Sequence, residues 1–159
     1  MKPKTVTASS VEMIELVLPN DTNILGNLLG GRLMHWIDIA AALSAARHCN
    51  TVAVTAAMDN LNFHHPIKIG NIVILKASVN RAFNTSMDVG VRVEVEEIET
   101  GNIIHTNSAY LTFVSIDNET KKPAKVPEII PETDVEKRRY EQALKRREQQ
   151  LSEKHGIIH

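Results

Sequence analysis

Asp38 is the one carboxylate inside a helix that is otherwise apolar on nearly every side. Leu33, Met34, Trp36, Ile37, Ile39, Ala40, Ala41, Ala42, Leu43, Ala45 and Ala46 surround it along the chain. With Met34 one turn before it and Ala41 and Ala42 one turn after, it is expected to give up part of its hydration and to serve as a general base. The same helix opens at Gly30 and Gly31, where backbone N–H groups lack partners inside the helix. Without side chains there, a substrate oxygen could approach the N–H groups near Gly31. Asn23 stands in the turn-forming run Asp21-Thr22-Asn23, and its composition reads as that of a turn residue. Its amide both donates and accepts, which also suits it to orient a water molecule. A base, free N–H donors and an amide are the equipment for adding water to a carbonyl whose oxygen becomes negative. The plainer alternative for Asp38 is a structural contact with His35 one turn earlier.

These groups need elements to hold them. A helix that is apolar all round has no solvent face, so something must enclose it. It is too short and too rich in alanine to span a membrane, which takes about 20 strongly apolar residues. Val11 to Leu18 reads as a strand ended by Pro19, and Thr51 to Met58 as a short strand buried on both sides. Asp59 to Gly70 reads as a connection whose polar groups could reach a ligand. From Asn71 the pattern alternates with period two. Val73, Leu75, Ala77 and Val79 face the core, as do Met87, Val89, Val91, Val93 and Val95 of the next strand. A last strand covers Ile103 to Ile116, with apolar residues on both parities. These three strands form an antiparallel meander.

The 159 residues imply one core, and residues 11–117 supply it. Residues 1–10 read as a poorly ordered arm, 118–131 as an extended linker carrying Pro123, Pro127 and Pro131, and 132–159 as a charged helical tail. A net charge of -1 with 43% hydrophobic residues argues against a general affinity for nucleic acid or anionic membrane. The lone Cys49 cannot form an internal disulfide, and the N-terminal ten residues lack the apolar segment of a signal peptide, so cytoplasm is expected. His64 and His65 are adjacent and lack metal-ligand spacing, so no metal site is expected. One buried helix with a strand before it and four after it requires a strongly curved sheet wrapped around the helix. The expected class is α+β with the hotdog architecture. One such unit covers only part of its helix, so a homodimer with paired helices is expected, or three such dimers joined.

Leu18-Pro19, Asp21-Thr22-Asn23, Gly26 and Gly30-Gly31, followed by Asp38, resemble a motif of the acyl-CoA thioesterases of the hotdog superfamily, the brain-type hydrolases and their small bacterial relatives. Asn62-Phe63, Pro66-Ile67 and Gly70 form a second match, and the reversal from Arg81 to Ser86 a third. The resemblance spans roughly residues 11–117. It implies hydrolysis of acyl-CoA to free coenzyme A and a carboxylic acid without metal or organic cofactor, with Asn23 and Asp38 as the catalytic pair. In larger relatives with two fused units the pair comes from different units, so each interface of a homodimer could hold two complete sites. Coenzyme A would bring phosphates that need local positive charge and donors, for which Arg81, Asn84, Thr85, Ser86 and Asn62 are the candidates; a solvated hairpin turn is the alternative for the first four. A hotdog dehydratase using His35, or a non-catalytic acyl-CoA-binding module, are the rival readings, and the pairing of Asn23 with Asp38 favours hydrolysis over both.

Overall fold

The computed structural model describes residues 1–59, 61–63 and 65–157. Five strands form one antiparallel sheet: β2 (Val11–Leu16), β3 (Val52–Met58), β4 (Ile72–Ala82), β5 (Ser86–Glu96) and β6 (Ile103–Ile116), in the order β2-β4-β5-β6-β3. The helix α1 (Gly30–Cys49) lies in the concave face and packs on every strand of that sheet. Two alternating patterns meet there: Val73, Leu75, Val79, Val89, Val91 and Val93 from the sheet, and Leu33, Trp36, Ile37, Ala40, Ala41 and Ala45 from the helix, all buried. This is the hotdog fold that the apolar helix demanded.

The double parity of β6 has a local cause. Opposite Val93 and Glu94 the pairing steps from Asn107 to His105, so Thr106 is an extra residue. A one-residue bulge exchanges the faces of everything beyond it. Ala109, Leu111 and Phe113 point into the core, while Ile103 and Ile104 at the other end are exposed.

The strand β3 differs from expectation. It is not buried on both sides but forms an edge of the sheet, paired through one side to β6, and Val52 and Val54 are about half exposed. Along α1, Met34 and Leu43 are likewise exposed at 42% and 48%. A single chain therefore encloses only part of its helix and leaves an apolar strand edge open.

Both ends of the chain are more firmly placed than their composition suggested. The two residues of β1 (Lys4–Thr5) pair in parallel with β7 (Ile129–Ile130), and Val6, Val126 and Ile129 join the buried cluster. Ser9 is fully buried: its hydroxyl accepts from the Val79 N–H at 2.9 Å, and its carbonyl accepts from the Ser44 hydroxyl at 2.7 Å. Residues 4–10 are thus tied down rather than forming a loose arm, because Ser9 satisfies a backbone donor where β4 departs from regular pairing. The linker is extended but packed, and the core is not confined to residues 11–117. The tail forms α2 (Asp134–Ile157), which packs against β4 through its thin apolar stripe, with Ala143 fully buried. Arg146 grips Asp88 with two hydrogen bonds of 3.1 and 2.8 Å and stacks 3.8 Å from the Tyr110 ring. Among the described residues no helix is long and apolar enough to cross a membrane.

His48, in the last turn of α1, is fully buried, and its Nε2 lies 2.7 Å from the Pro127 carbonyl oxygen. The carbonyl can only accept, so Nε2 carries the proton, and Nδ1 has no partner among the described residues. Burial holds the imidazole below its ordinary pKa of 6.5; the Pro127 carbonyl opposes this and the Lys4 charge adds to it. The unfolded chain therefore takes up a proton as pH falls through 6.5 while the folded chain does not, so this part of the stability is complete above that pH and is lost on acidification. His48→Gln, which keeps a donor for Pro127, should give a melting temperature that declines less steeply with acidification than the wild type. Parallel slopes in thermal melts across that range would refute the assignment.

Candidate active site

The loop before α1 is built around two polar side chains. Asp21 is buried; its Oδ2 accepts from the Leu18 N–H at 2.9 Å and its Oδ1 lies 3.3 Å from Nε of Arg32. Its carbonyl also accepts from the Leu29 N–H, so Asp21 ties the loop to the first turn of the helix. Asn23 closes the next turn. Its Oδ1 accepts from the N–H groups of Leu25 at 2.9 Å and Asn27 at 3.2 Å, and Gly26 adopts a φ of 77°, which glycine tolerates without strain. The acceptor of Asn23 is thereby used, while its NH2 makes no hydrogen bond within the described residues. The turn reading of Asn23 is met: the turn fixes the amide through its oxygen and leaves the NH2 as the group able to donate.

Residues 66–70 buttress this loop. Leu28 donates to the Ile67 carbonyl, Ile69 to that of Gly26, and Gly70 to that of Val17. The first two motifs therefore pack as one unit.

At the start of α1 the Arg32 N–H is taken by the Leu29 carbonyl at 3.1 Å, whereas those of Gly30 and Gly31 have no backbone partner among the described residues. A Cβ at Gly31 would meet nothing within 4 Å, and one at Gly30 would come 3.3 Å from Cε2 of Phe63. Gly31 is open to an incoming group. Gly30 is a wall. Beside Gly30 lies an apolar cleft of about 160 Å³ lined by Leu28, Leu33, Phe63, Pro66 and Ile67, with His65 as its one polar side chain.

Asp38 is half-buried two turns into the helix, and its Oδ1 accepts from the Thr55 hydroxyl at 2.6 Å. Its partner is Thr55 of β3, not His35. The β3–β6 pairing shifts register between Thr55 and Ala57, an irregularity of the kind that re-aims a side chain. Thr55 was not among the residues singled out from the sequence; its only signal there is a hydroxyl in an otherwise Ala- and Val-rich strand.

The candidates for coenzyme A fall into two groups. The Arg81 guanidinium donates to the Tyr140 carbonyl at 3.2 Å and lies 3.9 Å from the Tyr140 ring, so the tail helix holds it. Ser86 is buried, and the carbonyls of Asn84 and Thr85 accept from Val126 and Ser115. Asn62 is exposed beside Met34, Met58 and Leu61, and its carbonyl accepts from the Asn107 side chain. Since Ser86 pairs with Val114, the two groups stand seven residues apart along β6, or about 23 Å at 3.3 Å per residue. Within one chain they do not form a single site. His64 lies outside the described residues, and among those described no group of three or more His, Cys, Asp or Glu side chains is placed to hold a metal.

The thioesterase superfamily profile matches residues 25–102. Protein VdlD of Helicobacter pylori is 40% identical over 144 residues, covering 91% of this chain and 82% of that one. An apo-hexameric acyl-CoA thioesterase superposes with a TM-score of 0.91 at 38% identity, over 96% of this chain and 97% of that one. An acyl-CoA hydrolase from Staphylococcus aureus, solved with butyryl coenzyme A, coenzyme A and coenzyme A disulfide, superposes with a TM-score of 0.87 at 36% identity, over 98% and 97%. That hydrolase has also been solved with alanine in place of one asparagine, one aspartate and one threonine. Hotdog fold, loop motif and similarity over almost the full length agree: the chain belongs to the thioesterase superfamily.

Proposed function

We propose that this protein hydrolyses acyl-coenzyme A thioesters, with Asp38 as general base and Asn23 and Gly31 as donors, at sites built between two copies of the chain. The observation that carries the reading is the hydrogen bond from Thr55 to Asp38, which orients a lone carboxylate on an apolar helix. In the Staphylococcus aureus enzyme the asparagine, aspartate and threonine replaced by alanine follow one another at intervals of 15 and 17 residues, the intervals that separate Asn23, Asp38 and Thr55.

Asp38 takes a proton from water as that water attacks the thioester carbonyl. The carbonyl oxygen, becoming negative, is met by the Gly31 N–H and the Asn23 NH2. Collapse of the tetrahedral intermediate breaks the carbon–sulfur bond, and the proton held by Asp38 goes to the departing thiolate. The products are free coenzyme A and a carboxylic acid. The used acceptor of Asn23 changes its expected part. An NH2 directed at the water would tie up the lone pair needed for attack, so it suits the carbonyl oxygen better than the nucleophile.

Two copies are invoked because Gly31 and Asp38 of one helix are about 10 Å apart at 1.5 Å per residue. Reacting atoms need about 3 to 3.5 Å. Helices packed around a two-fold axis would bring Asn23 and Gly31 of one subunit towards Asp38 of the other, and the exposed Met34, Leu43, Val52 and Val54 are the surfaces such a dimer would cover. A thiol-release assay across acyl-CoA chain lengths, with acyl-carrier-protein thioesters included, tests the activity; no release from any acyl-CoA refutes it. Thr55→Ala should lower kcat by about 10- to 100-fold, the size expected for a hydrogen bond to a charged group at about 1.5–3 kcal/mol, with KM little changed. An unaltered kcat would remove Thr55 from the site.

A further inference from the structure

We infer that the cleft between the start of α1 and Phe63, Pro66 and Ile67 is the seat of the substrate's acyl chain, and that Phe63 sets how long a chain it accepts. The inference rests on the acyl-CoA reading and adds which end of the substrate goes where. Gly30 lines the cleft, so a carbonyl held by the N–H of the adjacent Gly31 would lie close to it, with one of its two substituents able to enter. That substituent is either the acyl chain or the thiol arm of coenzyme A.

The walls decide between them. Leu28, Leu33, Phe63, Pro66 and Ile67 are apolar, and the backbone groups nearest them are already engaged, Leu28 N–H with Ile67 carbonyl and Asn27 with Lys68 across a bridge. The thiol arm carries two amides and a hydroxyl, each costly to bury without a partner, and beyond the N–H at Gly30 the lining offers them one polar side chain, His65. A hydrocarbon chain has no such need. The carbonyl substituent that fits is the acyl chain.

Its length follows from the space and the wall. A volume of about 160 Å³ is close to that of an engineered apolar cavity of about 150 Å³ that takes up one benzene molecule, which suits a short chain of about six carbons or fewer. Phe63 forms one wall of the cleft, with its ring 3.3 Å from where a Cβ on Gly30 would lie. It is also 48% exposed, so trimming it costs little core packing.

The test compares wild type, Phe63→Ala and Phe63→Trp by two readouts. One is kcat/KM for acyl-CoA esters from acetyl to decanoyl; the other is the Kd of non-hydrolysable S-alkyl-CoA thioethers of the same lengths. Wild type should favour short chains. Phe63→Ala should raise the octanoyl-to-butyryl ratio by about tenfold or more, the discrimination that even one methylene can bring in an apolar pocket, and Phe63→Trp should lower it. Effects of equal size at every chain length, matched by a weaker Kd for free coenzyme A, would mean that the cleft holds the thiol arm and would overturn the inference. An unchanged profile in both variants would also overturn it. Chain-length-dependent thioether binding without any turnover would instead refute hydrolysis and leave the subsite standing.

Discussion

Asp38→Asn should lower turnover by about 100- to 10,000-fold, the loss expected when a positioned general base is removed. The fold should survive, because the side-chain carbonyl of asparagine can still accept from the Thr55 hydroxyl that now bonds Asp38 at 2.6 Å. Shape and hydrogen bond are kept. What is lost is the capacity to take a proton from water. The loss should therefore fall on kcat, with the affinity for a non-hydrolysable thioether and the melting temperature close to those of wild type. A folded variant with full thiol release would remove Asp38 from the chemistry and with it the mechanism proposed here.

The sequence carried the parts of this account that depend on local pattern. Apolar residues on all sides of α1 required a wrapping sheet, and the period-two run from Val73 to Val95 supplied two of its strands with the correct faces inward. What depended on neighbours across the fold was not visible. Nothing in Val-Ala-Val-Thr-Ala-Ala-Met says that β3 has a partner on only one side, so its apolar character read as burial when it marks an open edge. Thr55 meets Asp38 only because the topology returns β3 along the helix, a relation that no spacing rule encodes. Arg81 read as a free cation at a turn until α2 supplied the Tyr140 ring and carbonyl. Ser9 read as part of a loose arm because its two tertiary partners, Val79 and Ser44, lie 70 and 35 residues away. The bulge at Thr106 blurred β6 in the same way, since one extra residue changes parity without leaving a mark in composition.

Asn23 lies between these cases. Composition made it a turn residue, and the turn it makes uses its acceptor and leaves its donor, which is the half that a developing oxyanion needs. On the proposed mechanism each copy carries one donor set and one base, about 10 Å apart along the helix and so too far to serve one substrate together.

Refolding a mixture of two inactive variants tests that arrangement most directly. Asn23→Ala and Asp38→Ala should each lack activity when purified alone. Unfolded together in equal amounts and refolded, they should pair at random, so that half of the dimers are mixed. In a mixed dimer one site carries both lesions and the other neither, and the mixture should therefore recover roughly a quarter of wild-type thiol release. Size exclusion and mass analysis establish first that mixed dimers form. Recovery near a quarter is the result expected of sites built from Asn23 of one subunit and Asp38 of the other; mixed dimers without any return of activity would contradict them.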